Sequence, residues 1–138
     1  MTPAPAVQAY CYINRINRGE WVDLLIDTGA SETCLHGIYA LDLQEYMRDD
    51  TLEVSYGIGG IRCAYYHERA TLLFRDEKSQ PLSRVVMIGI QQFTEEDFND
   101  PDNLEDCLEC PSLLGRDILS RWELRYNHQK EDITLRVP

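Results

Sequence analysis

The chain has 138 residues, of which 24 are acidic and 13 basic, and its formal net charge is −11. The length is typical of one domain, and the charge excludes a general nucleic-acid binder, because such a chain repels a phosphate backbone. No apolar run approaches the roughly 20 residues that span a bilayer, and the first ten residues do not resemble a secretory signal. We therefore expect a cytoplasmic protein without membrane contact, with its five cysteines reduced.

Short apolar and β-branched runs separated by turn residues predict an all-β domain. Residues 1–6 are rich in Pro and Ala and predict a loose N-terminal end, which leaves a single domain over residues 7–138. Strands are predicted, in chain order, at Val7–Ile16, Trp21–Asp27, Thr51–Tyr56, Ile61–Phe74, Leu82–Ile90, Leu124–Tyr126 and Ile133–Val137. Residues 17–20 predict a hairpin turn, and short helices are expected within Leu35–Met47 and at Asp117–Trp122.

The segment Gln91–Cys110 differs from the rest because it carries eight acids and no base. Such charge blocks are usually solvated, so we expect an exposed acidic insertion with at most one short helix. A docking surface for a basic partner is the alternative.

One motif stands out at the end of the second predicted strand. The apolar run Leu24-Leu25-Ile26 leads directly into Asp27, Thr28, Gly29, Ala30 and Ser31. A buried strand that ends in Asp puts a carboxylate at the edge of the core, and the following Gly lets another backbone approach closely. The triplet alone is a weak signal, since Asp and Gly are also common in surface turns.

A second motif lies far along the chain, where Leu113-Leu114-Gly115-Arg116-Asp117 precedes a short helix. A glycine-rich hairpin tip, formed by Gly57, Ile58, Gly59 and Gly60, lies between the two motifs. In this order, over about Val7 to Val137, the three motifs resemble those of the retroviral-type aspartic proteases, the retropepsins. The sequence of the second motif and the helix after it is most similar to that of cellular and prokaryotic single-domain relatives.

The resemblance implies a retropepsin-like barrel that works as a C2 homodimer, because the chain contains a single Asp-Thr-Gly. Asp27 and its symmetry mate would then activate a water as an aspartic endopeptidase, without a metal or cofactor. Thr28 would brace the loop across the axis, and Gly29 and Ala30 would support it. The substrate, an extended peptide, would contact the remaining positions that the family pattern assigns to binding: Gly29, Ser31, Gly57, Ile58, Gly59, Gly60 and Leu114.

The same resemblance assigns structural roles to Gly115, Arg116 and Asp117. Arg116 would tie the catalytic loop to the following helix by hydrogen bonds, and Ile133–Val137 would join a sheet at the dimer interface. Viral enzymes have an Asp where this chain has Ser31, so the partner of Arg116 is open, with Glu32 as one candidate. A non-catalytic dimerisation or peptide-binding module on the same fold is the alternative function.

The pair Cys107 and Cys110 has the spacing of some metal and redox sites. A structural zinc site usually needs a second pair of ligands, and a thioredoxin-like role needs a βαβ context that the sequence does not predict. We expect incidental thiols here, with a reversible disulfide as the alternative.

Overall fold

Nine strands and four short α-helices make up most of the residues that the computed structural model describes, which are 5–46, 53–56, 62–127 and 132–137. The strands are β1 (Ala6–Ile13), β2 (Arg18–Ile26), β3 (Cys34–Leu35), β4 (Glu53–Tyr56), β5 (Arg62–Arg75), β6 (Pro81–Gln92), β7 (Ser112–Leu114), β8 (Glu123–Asn127) and β9 (Asp132–Arg136). The helices are α1 (Gly37–Asp42), α2 (Glu95–Asn99), α3 (Pro101–Glu109) and α4 (Arg116–Leu119), and a 3-10 turn covers Gln44–Tyr46.

Six of the strands form a closed barrel. The order is β1-β2-β7-β3-β6-β5, and β5 pairs back onto β1. The β2–β7 and β3–β6 pairs are parallel, whereas β1–β2, β3–β7, β5–β6 and β1–β5 are antiparallel. Closure leaves these strands without an open edge. The predicted all-β barrel is therefore confirmed.

The core lies inside this barrel because the strands alternate inward and outward side chains. On β1, Ala9, Cys11 and Ile13 are buried while their neighbours are more exposed. Leu72 of β5 and Ile88 of β6 are completely buried in the same cluster. Near the end of the chain, Trp122 closes the core by packing edge-to-face on Phe74, with ring centroids 5.0 Å apart.

Strand β4 lies outside the closed ring. It pairs antiparallel with the first residues of β5, on the edge that β5 shares with β1 further along. The two strands form the arms of the hairpin that the sequence predicts. Its tip, Gly57, Ile58, Gly59 and Gly60, lies outside the described residues.

The first hairpin turn lies earlier than predicted. Strand β1 ends at Ile13 and the turn covers residues 14–17, so Arg18, Gly19 and Glu20 already belong to β2. Asn17 takes the left-handed conformation, with φ 52°, which Asn tolerates better than most residues. This conformation lets the turn close at Asn17 rather than at Gly19.

The prediction for Gln91–Cys110 is wrong in two respects. The segment begins inside β6, where Gln91 and Gln92 are buried, and it then forms two helices rather than one. Thr94 and Asp97 form a capping box at the start of α2, and Asp100 caps α3 ahead of Pro101. Cys107 of α3 is buried in the core, so the insertion is packed against the barrel. With α1 and α4, the described chain has more short helices than the one or two expected.

In the part of the chain that the structure describes, no helix has both the length and the apolar character that crossing a membrane requires.

Candidate functional site

Asp27 is the first residue after β2, where the parallel pairing with β7 ends. Its backbone N–H donates to the carbonyl of Leu114 at 3.1 Å, one step beyond the paired residues Ile26 and Leu114. The N–H of Gly29 donates to Oδ1 of Asp27 at 2.9 Å. A half-buried carboxylate is thus held at a defined position and orientation at the edge of the barrel.

The turn after Asp27 is fixed by backbone hydrogen bonds. Ala30 N–H donates to the Asp27 carbonyl at 3.2 Å, and Arg116 N–H donates to the Ala30 carbonyl at 2.9 Å. Thr28, Gly29 and Ser31 remain exposed. We call residues 27–33 the Asp27 loop. One side of it is attached to β7 and α4, and the other side faces solvent.

The far end of the Asp27 loop is anchored by Thr33, whose side chain is completely buried. The Thr33 hydroxyl donates to Oδ1 of Asp117 at 2.7 Å and accepts from the N–H of Gly115 at 3.1 Å. The backbone N–H of Thr33 donates to Oδ2 of Asp117 at 2.9 Å. This network joins the two sequence motifs across 84 residues and was not predicted from the sequence.

Gly115 is required by the close approach of two backbones. A Cβ at this position would lie 2.5 Å from the carbonyl oxygen of Glu32 and 2.9 Å from its Cα. Atoms cannot approach this closely without a shift of the loop, so only Gly lets β7 pass directly beneath the Asp27 loop. The glycine of the second motif therefore sets how near the two motifs lie.

The structure also corrects the expected role of Arg116. Its side chain is exposed and makes no hydrogen bond to a described residue. The backbone N–H of Arg116 and the carboxylate of Asp117 tie the loop to α4 instead. The connection at this position comes from the backbone of Arg116 and not from its guanidinium.

Glu32, which was one candidate partner for Arg116, pairs with His67 instead. His67 Nε2 lies 3.0 Å from both carboxylate oxygens of Glu32. Because His67 belongs to β5, this contact links the Asp27 loop to the strand that continues the β4–β5 hairpin. The two residues are 35 positions apart, and barrel closure brings them together.

Leu114, which the family pattern assigns to substrate binding, has no exposed side-chain surface in the described structure. Its side chain is completely buried in the core, because β7 lies inside the ring between β2 and β3. Leu114 acts on the site through the carbonyl that accepts from Asp27. The neighbouring Leu113 is half-buried and faces the opposite side of the strand.

A buried histidine lies next to this assembly. His36 Nδ1 is 2.7 Å from the carbonyl of Pro111, and Nε2 is 2.6 Å from the hydroxyl of Tyr65. The carbonyl can only accept, so Nδ1–H donates to it and Nε2 accepts from Tyr65. Burial lowers the pKa of His36, and the hydrogen bond to Pro111 partly opposes this effect. The contacts join β3, β5 and the segment before β7 in a way that favours neutral imidazole.

A cavity of about 330 Å³ opens beside β1, β2 and α1. It includes Gly19 and Val22 of β2 but not Asp27. The cavity is therefore separate from the Asp27 loop.

Cys107 and Cys110 differ in burial. Cys107 is buried in the core within α3, whereas Cys110 is partly exposed at the end of that helix. Among the described residues, no group of three or more His, Cys, Asp or Glu side chains is arranged to hold a metal ion.

Comparison with protein-family models and with curated proteins found no match. Among solved structures, the chain is similar to the retroviral protease-like domain of Ddi1 from Leishmania major. The sequence identity is 12% and the TM-score 0.43, and the alignment covers 96% of this chain and 90% of that one.

Proposed function

We propose that the chain is one half of a homodimeric aspartic endopeptidase of the retropepsin type. The observation that carries the proposal is the Asp27 loop: it orients one carboxylate through Gly29 N–H and leaves Thr28, Gly29 and Ser31 exposed. In a two-fold dimer the same surface of each chain meets at the axis. The exposed side of the Asp27 loop is available for such a contact.

The chemistry follows from bringing two such carboxylates together. Two carboxylates about 3 Å apart share one proton, because both cannot be ionised at that distance. The ionised Asp27 would take a proton from a water molecule that lies between the chains. The protonated partner would donate a hydrogen bond to the scissile carbonyl and stabilise the tetrahedral intermediate. Neither step needs a metal or cofactor.

The substrate in this proposal is an extended peptide. It would lie between the Asp27 loops and the β4–β5 hairpins, whose tips would close over it and exclude water. Exposed Gly29 and Ser31 would contact its backbone. The Thr33–Asp117 network and Gly115 have no direct contact with substrate in this scheme; they position the loop.

The test is cleavage of a mixed peptide library, followed by mass spectrometry. Asp27→Asn should abolish cleavage, because an amide cannot act as the general base. Asp23→Asn is the matched control, since Asp23 is an exposed acid on β2, the strand that leads to Asp27, and this variant should cleave like the wild type. Equal cleavage by Asp27→Asn would contradict the assignment. Peptide capture without cleavage by the wild type would favour the non-catalytic binding module.

A further inference from the structure

The outer surface of the barrel carries an aromatic and aliphatic face that the proposed active site does not use. Strand pairing places Trp21 of β2 opposite Tyr10 of β1, and Tyr10 opposite Leu73 of β5. Directly opposed residues project to the same side of a sheet. Their neighbours Val22, Cys11 and Leu72 are buried, so this side faces away from the core.

The next strand extends the same face. On β6, Val85 lies opposite Thr71 of β5, and Met87 lies opposite Arg69. Val85 is 59% exposed, Met87 56% and Trp21 43%. We call the following residues the outer sheet face: Tyr10, Trp21, Arg69, Leu73, Arg75, Val85 and Met87.

The aromatic part of the outer sheet face is already ordered. The Tyr10 ring covers Gly19, where any Cβ would collide with it. Tyr10 and Trp21 pack edge-to-face with ring centroids 5.5 Å apart, and the Arg75 guanidinium lies 6.0 Å from the Trp21 ring centroid. Rings held in this way lose little conformational entropy when a ligand binds.

The charge on this face is opposite to that of the whole chain. Arg69 and Arg75 are exposed and form no ion pair with a described residue, although the net charge is −11. The acids lie at the margins of the face: Asp23 on β2 beyond Trp21, and Asp76 and Glu77 in the turn after Arg75. The face is rich in aromatic residues, Met and Arg and has few acids. This composition is typical of the core of a protein interface rather than of ordinary surface.

We propose that the outer sheet face binds an acidic segment of a partner protein, in which carboxylates flank aromatic or branched apolar residues. The carboxylates pair with Arg69 and Arg75, and the apolar side chains pack on Trp21, Val85 and Met87. The binding does not require Asp27, so it can be tested independently of the protease proposal.

The probe is a fluorescein-labelled peptide of about 12 residues with alternating Glu and Phe or Leu, measured by fluorescence anisotropy. When extended it spans about 40 Å, more than the roughly 19 Å width of four strands. A second peptide has Lys in place of every Glu, and a third has Ser in place of every apolar residue. The acidic apolar peptide should bind at least about tenfold more tightly than either comparison peptide, and added salt should weaken its binding.

Variants locate the binding on the protein. Trp21→Ala and Arg69→Glu should each weaken binding by about tenfold or more. Met87→Ser removes apolar surface at an exposed position without adding a charge, and it should weaken binding by about threefold or more. Arg121→Glu is the charge control, since Arg121 is exposed after α4, and it should leave binding unchanged.

Three results would overturn the proposal. One is equal binding of the acidic and basic peptides, and another is binding that Trp21→Ala, Arg69→Glu and Met87→Ser leave unaltered. The third is that the chain binds no peptide but self-associates, and that Arg69→Glu abolishes the self-association. This result would assign the face to a second copy of this chain. Circular dichroism melts of each variant show whether a loss of binding reflects unfolding.

Discussion

Removing the Thr33 hydroxyl is the sharpest structural perturbation of the Asp27 loop. Thr33→Val preserves shape, but it deletes the 2.7 Å hydrogen bond to the Asp117 carboxylate and leaves the N–H of Gly115 without its 3.1 Å acceptor. A hydrogen bond to a charged group contributes about 1.5–3 kcal/mol, and an orphaned buried donor costs about 1–3 kcal/mol. Since the two effects overlap, we expect the free energy of unfolding to fall by about 3 kcal/mol, which lowers Tm by roughly 10 °C in a chain of this size.

The assay is urea denaturation followed by tryptophan fluorescence, at a fixed protein concentration because dimerisation would contribute to stability. Thr71→Val is the matched control. Its hydroxyl makes a 3.4 Å contact with Asn14 at an exposed site, so its effect should stay within about 0.5 kcal/mol. Thr33→Ser keeps the hydroxyl and should recover most of the loss. If Thr33→Val proved as stable as Thr71→Val, the network would not be what anchors the loop.

Two further predictions concern neighbouring residues. Gly115→Ala should destabilise the fold by about 2 kcal/mol or more and should reduce any cleavage, because the new Cβ collides with Glu32 backbone; an unchanged melting temperature in differential scanning calorimetry would disprove it. Burial lowers the pKa of His36 in the folded chain below its unfolded value, so its contribution to stability should be lost as the pH falls below about 6.5 and the unfolded state takes up the proton. His36→Gln should flatten urea midpoints measured between about pH 5 and 7.5, and an equally steep dependence in that variant would exclude His36 as the cause.

The sequence predicted seven of the nine described strands because their signal is local, whereas β3 and β7, with two and three residues, were not predicted. Alternating apolar residues identify β1, β5 and β6, and the apolar run before Asp27 identifies β2. The two helices after β6 were not predicted because their capping residues lie in a strongly acidic segment, where polar residues are typical of a solvated loop. Thr94, Asp97 and Asp100 were interpreted as solvated polar residues. Leu104, Cys107 and Leu108 pack against the core with the i, i+3, i+4 spacing of a helix, and this spacing is the signal that could have predicted α3.

The candidate site was predictable in position but not in its contacts. Asp27 and Gly115 lie in motifs that local patterns identify, whereas the close approach of Gly115 to the Glu32 backbone joins residues far apart in sequence. The pairs Glu32–His67 and Thr33–Asp117 join residues far apart in sequence, so barrel closure rather than any local signal determines them. The same closure turns the Leu114 side chain into the core. Roles transferred from a family by position alone cannot anticipate such burial.

A mixing experiment tests whether Asp27 from two chains makes one active site. Wild type is refolded together with an equimolar amount of Asp27→Asn, and peptide cleavage is measured per wild-type chain. If the site is shared and chains pair at random, about half of the wild-type chains have an inactive partner, so activity per wild-type chain should fall to about half. Mixing with Asp23→Asn should cause no loss. Undiminished activity per wild-type chain in the Asp27→Asn mixture would contradict a site built from two copies of Asp27.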